Sequence, residues 1–380
     1  KLAIERYTHY KLESYFYEQM ESLDEVFSSK TSVSGDKTIL GKMPDWNPAE
    51  LIGARPRPLS VSLFHKLITK GVWRVARSEI GYYNPKNEEL LKIVFGQPFI
   101  DVRNSLNSFT PASLPPSLRK KIVEESIAFL SVNPHLHDKL EFDVATTCYT
   151  PYFFQRKKRW SEFGISDRDI KILVTHFRTH TLDILGGKWD NCESFIKEVK
   201  ELDAKREEIL NDDEIDNISK ANQLLIACEK KGTIPFSKLA RFAFIGNTFL
   251  KSFVAEGIIS KSSYNLYFNS IETVATEMLD SLAAFKRGEK TLESFLDKFG
   301  HLRPGTFDIN SIRYDEDPNL YFGIQTKLDK TNHPKVKYSF STKEKQKIHN
   351  LLKKLKLNVD VDTLLSFIKE SIKGREYSKF

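Results

Sequence analysis

From about Ser166 to Phe299 apolar side chains recur at helical spacing with hardly a break, and this stretch limits the fold more than any other. Within it Pro235 to Val254 carries Phe236, Leu239, Ala240, Phe242, Phe244, Ile245, Phe249 and Leu250, which predicts a helix buried all round. Lys343 to Lys379 predicts a closing pair of helices with Leu351, Leu352, Leu355, Leu364, Leu365 and Ile368 in the core. At the front, residues 1–30 read as an amphipathic helix through Leu12, Tyr15, Phe16, Gln19, Leu23 and Val26, followed by a Ser/Gly loop from Ser28 to Lys37. Asn47-Pro48-Ala49-Glu50 is a helix start, with Asn as N-cap, Pro at the first helical position and Glu three after the cap. Leu59 to Arg77 predicts one longer helix with Leu63, Phe64, Leu67 and Ile68 on one face. Two stretches alternate as strands do, Phe99 to Ser105 and Lys139 to Val144. The expected fold class is α+β, predominantly helical, with a small β-sheet in the first half and a helical second half. Its expected parts are residues 1–165 (α/β), 166–300 (helical) and 301–380 (a loop and the closing helices of the same domain).

At 380 residues, 40% hydrophobic and 29% charged, the chain has an ordinary globular composition and enough length for a large core. No run of 18 apolar residues is present, so a membrane span is not expected. The start, Lys1 to Arg6, has neither the layout of a signal peptide nor an initiator Met, and the expectation is a fragment of a longer chain. Cys148, Cys192 and Cys228 are far apart and odd in number, which fits a reducing cytoplasm and argues against a disulfide framework or structural zinc site. The net charge is +7, but the lysines are spread among acids and no nucleic-acid motif accompanies them. A modest positive field suits phosphate-bearing ligands.

Four constellations could carry chemistry. On the expected strand, alternation would point Asp101, Arg103, Ser105 and Asn107 to one face. Same-face neighbours there lie roughly 6–7 Å apart, so Arg103 could hold a carboxylate and Asp101 an ammonium; equally, the two could simply pair with each other on a surface. Glu141 and Asp143, behind His137-Asp138, could bind a cation or an amino group, or be a solvated strand face. Arg55-Pro56-Arg57-Pro58 stiffens toward polyproline II and presents two guanidinium groups to a phosphate or a partner domain, or caps a helix turn. His301-Leu302-Arg303-Pro304-Gly305 places His301 and Arg303 on a loop, with Asp308 and Arg313 close behind. There a histidine could move a proton and an arginine could steady phosphoryl oxygens. His176 and His180 are four apart on an expected helix, without an evident third metal ligand, and no metal site is expected. Gly186-Gly187 lacks the Lys-Ser/Thr of a phosphate loop.

Two longer phrases, Asp45-Trp46-Asn47-Pro48-Ala49-Glu50-Leu51-Ile52-Gly53 and Gly300-His301-Leu302-Arg303-Pro304-Gly305-Thr306-Phe307-Asp308-Ile309 running into Ser311-Ile312-Arg313-Tyr314, resemble the central part of a phosphoenolpyruvate-synthase-like (PEP-utilising) dikinase. Further stretches of the same kind are Pro58 to Phe64, Val102 to Phe109, His137 to Phe142, Gly232 to Phe236 with Leu239-Ala240-Arg241, and Gly374 to Phe380. Within that group the chain is most similar to the L-glutamine kinases of capsule phosphoramidate biosynthesis. The resemblance implies a cytoplasmic, ATP-dependent phosphotransferase. An ATP-grasp domain would pass the β-phosphoryl of ATP to a histidine on a swivelling carrier, which then phosphorylates the side-chain amide nitrogen of L-glutamine, leaving AMP and phosphate.

The chain resembles the acceptor-binding domain between those two parts. ATP and Mg²⁺ would bind a domain not in this chain, and the partners would be the ATP-grasp and phosphohistidine domains of the same polypeptide. Gly186-Gly187 is followed by Lys188-Trp189-Asp190, not by the carrier's Ser/Thr-His, so His301 is not read as the phosphocarrier. Taken with the constellations above, Asp101 and Arg103, helped by Ser105, Asn107 and Glu141, are expected to hold the acceptor. His301 (as base) and Arg303 are likewise expected in catalysis, and Arg55, Arg57, Arg375 and Lys379 in phosphate or carrier docking. Neither nucleic acid nor membrane is an expected partner. Two alternatives stay open: a dikinase-like enzyme acting on pyruvate or a hydroxyl compound, and a non-catalytic binding or scaffold domain.

Overall fold

In a computed structural model of the chain, the residues described are 18, 20, 21, 23, 27, 32–303, 311–322 and 337–379. Most of the expected first helix lies outside them, including Leu12, Tyr15, Phe16, Gln19 and Val26, while Leu23 is helical. Pro304 to Asn310, with Asp308, and Phe380 also lie outside the described residues.

The predominantly helical α+β class is observed. Strand β1 (Leu40–Gly41), β2 (Leu91–Val94) and β3 (Gln97–Asp101) form one antiparallel sheet in the order β1-β3-β2. Leu40 faces Asp101, and Leu91 faces Ile100. Phe95 and Gly96 join β2 to β3 with φ of 49° and 69°. Both values are positive, as a two-residue hairpin turn of type I′ requires.

Before the hairpin run α1 (Pro48–Leu51), α2 (Pro58–Phe64) and α3 (Val72–Glu79). Asn47 does stand at the N-cap of α1, with Pro48 following, but in the left-handed region and without a side-chain cap; its amide donates to Glu50 instead. The single helix expected over Leu59–Arg77 is a correction: a π-turn, His65–Thr69, and a break at Gly71 divide it. After the hairpin come α4 (Val102–Asn107), α5 (Pro116–Val132), α6 (Lys157–Glu162) and α7 (Asp167–Leu185). Then follow α8 (Cys192–Leu210), α9 (Asn217–Ala227), α10 (Ile234–Ala255), α11 (Lys261–Asn269), α12 (Val274–Lys286) and α13 (Leu292–Phe299). Short α14 (Pro318–Phe322) and the closing pair α15 (Thr342–Lys354) and α16 (Val361–Tyr377) complete the described chain.

The chain divides into two compact units, Lys1–Asp190 with Glu201–Lys238, and Asn191–Lys200 with Leu239–Phe380. In the first, Val102, Leu106 and Phe109 of α4 and its end pack with Val123, Ile127 and Leu130 of α5 and with Leu140, Val144 and Ala145. Each such side chain contributes about 1.5–3 kcal/mol on burial, and together they fix one face of α4 inward. The polar residues of α4 are thereby aimed at its flanks.

In the second unit α10 is buried as expected, with Leu239, Ile245, Phe249, Leu250 and Phe253 all inaccessible. Phe242 meets Phe195 and Phe367 at 5.6 and 5.5 Å between ring centroids. Gly246 lets α16 come close: a Cβ there would lie 3.0 Å from Ser371 Oγ and 3.2 Å from Ile368 Cα. Gly374 does the same for Leu239 and Ile196.

Candidate functional site

The expected strand Phe99–Ser105 is a strand only as far as Asp101 and the one expected over Lys139–Val144 is helical, and this correction changes the geometry of the expected acceptor site. The stretch Phe99–Ser105 leaves the sheet at Asp101, whose carboxylate accepts from the Asn104 N–H at 3.1 Å and so starts α4. Asp101, Arg103, Ser105 and Asn107 therefore do not share a strand face. They surround a single short helix, and all four are buried. Lys139–Val144 is likewise a correction: a 3₁₀ turn (Pro134–Lys139) runs into a π-turn (Leu140–Val144) that carries Glu141. The side chains that reach the core, Val102 with Leu106 and Leu140 with Val144, are four apart, which a helical turn and an alternating strand both accommodate over so short a run.

On one flank of α4 lies a closed ionic cluster. Arg77 of α3 donates Nη1 to Asp45 Oδ2 at 2.9 Å and Nη2 to Asp45 Oδ1 at 2.7 Å, a two-point pairing of buried partners. Its Nη1 also donates to Ser108 Oγ at 2.7 Å, and Ser105 Oγ donates to Asp45 Oδ2 at 2.6 Å. Glu141 Oε1 stands 3.8 Å from Arg77 Nη2, and the guanidinium lies over the Phe109 ring at 4.3 Å. The cluster joins four segments distant in sequence and holds the turn after Asp45. In that turn Trp46 and Asn47 are both left-handed, at φ 54° and 33°. Such conformations cost of order 1–3 kcal/mol each in non-glycine residues, and the buried pair offsets that cost. Arg77, Asp45 and Ser108 were not singled out as site residues from the sequence, although Asp45 opens the first signature phrase.

A second buried cluster pairs its charges within the protein, although Arg156 Nε lacks a partner. Glu125 pairs with Arg159, and Arg156 and Arg159 donate to the carbonyls of Phe142, Asp143, Val144 and Ala145 at the end of the π-turn. Burial pushes the Glu125 carboxyl up and Arg159 draws it back; burial and the neighbouring Arg159 bring Arg156 down to about 10. These donors satisfy carbonyls that a helical end leaves open.

The other flank of α4 differs. Asp101 Oδ1 accepts from Thr38 Oγ1 at 2.6 Å as well as from Asn104, while its Oδ2 faces Arg103 Nη2 at 3.8 Å. Asn107 holds the backbone of Ser34 through both ends of its amide, at 3.0 and 2.8 Å. Arg103 is only 3% exposed, yet among the described residues its guanidinium makes no hydrogen bond, and Nε is buried without a partner. An arginine carries five N–H donors, so this is an under-satisfied buried cation. Ser105 and Asn107, by contrast, are engaged with the protein itself.

The remaining expected residues lie as follows. Arg55 and Arg57 are exposed, and Arg57 is extended before Pro58 with φ −74° and ψ 156°, as the alternating prolines predict. In the second unit His301 is exposed in a turn after α13. Arg303 Nε donates to the Ser311 carbonyl at 2.8 Å, Tyr314 N–H to Leu302 O at 3.1 Å, and Asp315 N–H to Gly300 O at 3.0 Å. Arg313 closes on Asp315 at 2.8 and 2.9 Å. Arg375 is half-buried, pairs with Glu376 at 2.5 Å and lies over Phe244; Lys379 is exposed, 3.7 Å from Glu376. His176 Nδ1 meets Ser113 Oγ at 3.0 Å, and His180 is buried edge-on to Tyr82. Among the described residues no group of three or more His, Cys, Asp or Glu is placed to hold a metal ion, and no helix is long and apolar enough to cross a membrane.

No curated protein and no solved structure gives a significant match to the chain. Residues 254–376, inside the second unit, match the family model described as rifampicin phosphotransferase fourth domain. That similarity supports a domain of the PEP-utilising dikinase type and, with it, part of a phosphotransferase.

Proposed function

We propose that this chain is the acceptor-binding domain of an ATP-dependent phosphotransferase whose acceptor is L-glutamine. The observation that carries the reading is the Arg103 guanidinium, buried and without a hydrogen bond among the described residues. A ligand carboxylate would meet its forked donors at two points. Asp101 decides which carboxylate. Its charge and that of Arg103 cancel, so a simple monoanion would leave a net negative charge in a buried place, at a cost of several kcal/mol. A zwitterion adds no net charge, and Asp101 Oδ2 accepts no hydrogen bond among the described residues, leaving it open to an ammonium. An α-amino acid fits this pair better than pyruvate does.

In the proposed reaction the amide nitrogen of the bound glutamine attacks the phosphorus of the phosphorylated carrier histidine. A new N–P bond forms, the P–N bond to the carrier breaks, and an amide proton leaves to a base. The amide is a weak nucleophile, so orientation and proton removal carry the catalysis. We assign the base role to His301, phosphoryl stabilisation to Arg303, and carrier docking to Arg55, Arg57, Arg375 and Lys379. ATP and Mg²⁺ belong to a separate ATP-grasp domain.

A second reading, a hydroxyl acceptor, draws support from the matched family, whose described member acts on rifampicin. The test is phosphorus NMR of the polypeptide bearing this domain, incubated with ATP and L-glutamine. Glutamine phosphate, AMP and phosphate are expected. Turnover with pyruvate or a hydroxyl compound and none with glutamine would replace the acceptor.

A further inference from the structure

A segment held down almost entirely by side chains lies against the stem of Arg103. Residues 32–38 have no regular structure. Gly35, at φ 104°, lies against the arginine stem: a Cβ on it would stand 3.6 Å from Arg103 Cδ and 3.1 Å from Val123 Cγ1. On one side of this contact Ser34 is held by both ends of the Asn107 amide, and Ser32 by Glu88 at 2.9 Å. On the other side Thr38 Oγ1 donates to Asp101 at 2.6 Å and accepts from the Arg103 N–H at 3.3 Å. Lys120 and Glu124 of α5 hold Asp36 in exposed contacts. Val33 is the segment's buried apolar side chain.

Two of these anchors, Asp101 and Asn107, bracket Arg103 on its own short element. A segment with few buried apolar groups, secured by single side-chain hydrogen bonds, belongs to the part of a fold that opens locally at low cost. The segment lies against the arginine stem, so lifting it would widen the way to a guanidinium that is otherwise buried.

We propose that residues 32–38 form a strap that lifts to admit a ligand to Arg103 and closes over it, with the Thr38–Asp101 hydrogen bond as its latch. This rests on the reading of Arg103 as a ligand anchor. A ligand ammonium would take Asp101 Oδ2, beside the Oδ1 that holds the Thr38 hydroxyl, so the latch can close with the site occupied.

The test uses an arginine-selective dicarbonyl reagent, phenylglyoxal, on the native chain, Thr38→Val and Gly35→Ala, followed residue by residue with peptide mass spectrometry. Arg119 is the internal control. It is equally buried and is held by Thr110 and the carbonyl of Leu114, away from the strap. Loss of one latch hydrogen bond is expected to speed modification of Arg103 roughly fivefold or more, with Arg119 unchanged. No acceleration, or equal acceleration at both arginines, would overturn the strap. Should both variants fail to fold, hydrogen exchange on the native chain decides: the Ser34 amide is expected to exchange well before the Ser108 and Arg119 amides, and equal protection would overturn the proposal. Added L-glutamine is expected to slow modification of Arg103 in the native chain. Absence of that protection, with the variants still faster, would remove glutamine as the ligand and leave the opening motion in place.

Discussion

The Arg77 guanidinium and the Asp45 carboxylate meet through two parallel hydrogen bonds of 2.9 and 2.7 Å, both groups being almost wholly buried. The two residues lie 32 positions apart in the chain, and Ser105 and Ser108 complete the shell around them. Arg103, the charged residue of α4, has no such shell. That contrast is the ground on which Arg103, and not Arg77, is proposed to hold a ligand.

Removing one member of the satisfied pair leaves the other buried and uncompensated. Asp45→Ala is expected to cost about 3–5 kcal/mol in urea denaturation, and Arg77→Met a similar amount. The double variant Asp45→Leu with Arg77→Met is expected to cost clearly less than the two single losses added together. Strict additivity would mean that the pair does not act as a unit.

Gly246→Ala and Gly374→Ala set helix propensity against packing. Alanine in a helix interior gains about 1 kcal/mol over glycine. At Gly246 the new methyl meets Ser371 Oγ at 3.0 Å and the Ile368 backbone at 3.2 Å, which do not yield readily. At Gly374 it meets the ends of the Leu239 and Ile196 side chains at 2.8 and 3.3 Å, which can rotate away. Overpacking costs about 1–3 kcal/mol, so Gly246→Ala is expected to lower the midpoint of thermal unfolding and to do so more than Gly374→Ala. The reverse order would show that the α16 backbone gives way.

The helical parts of the two expected strands, Val102–Ser105 and Lys139–Val144, teach the same lesson about period. Val102, Leu106 and Phe109 stand at i, i+4 and i+7, and Leu140 and Val144 at i and i+4. Over five or six residues that spacing also satisfies alternation, and Asp101 was the deciding signal, because a carboxylate three residues before a free N–H ends a strand and begins a helix. The hairpin of β2 and β3 was not read from the sequence, because Phe95-Gly96 lacks the Asn or Asp that ordinarily marks such a turn. The long helices were legible because α10 and α16 repeat their pattern over several turns. The pairing of Asp45 with Arg77 was not legible, since tertiary contact between distant segments leaves no local periodicity. Arg103 was singled out by its residue type, though the expected strand placed its neighbours wrongly.

The second unit is expected to lose stability in base. Burial raises the Cys192 thiol from 9.0 to about 12, with Glu370 adding to the shift, and burial likewise raises the Tyr267 hydroxyl from 10.0 to about 12, again with Glu370. In the unfolded chain both groups release their protons at their ordinary values, whereas the folded chain keeps them. The stability they support is therefore whole below pH 9 and falls as the pH rises toward about 12. The slope is at most about 1.4 kcal/mol per pH unit for each group. Tyr267→Phe, which also gives up a 3.3 Å bond to the Leu365 carbonyl, is expected to be less stable at pH 8 but to lose less between pH 10 and about 12. An unchanged slope would show that Tyr267 ionises freely in the folded chain.

The most direct measurement is isothermal titration of the native chain and of Arg103→Ala with L-glutamine and with pyruvate, in two buffers of different ionisation enthalpy. The account predicts that glutamine binds the native chain with the same heat in both buffers, because a zwitterion brings no net charge and needs no proton. It also predicts at least about a tenfold loss of glutamine affinity in Arg103→Ala, the equivalent of about 1.4 kcal/mol. Pyruvate binding in place of glutamine, or glutamine binding equally well to Arg103→Ala, would contradict it.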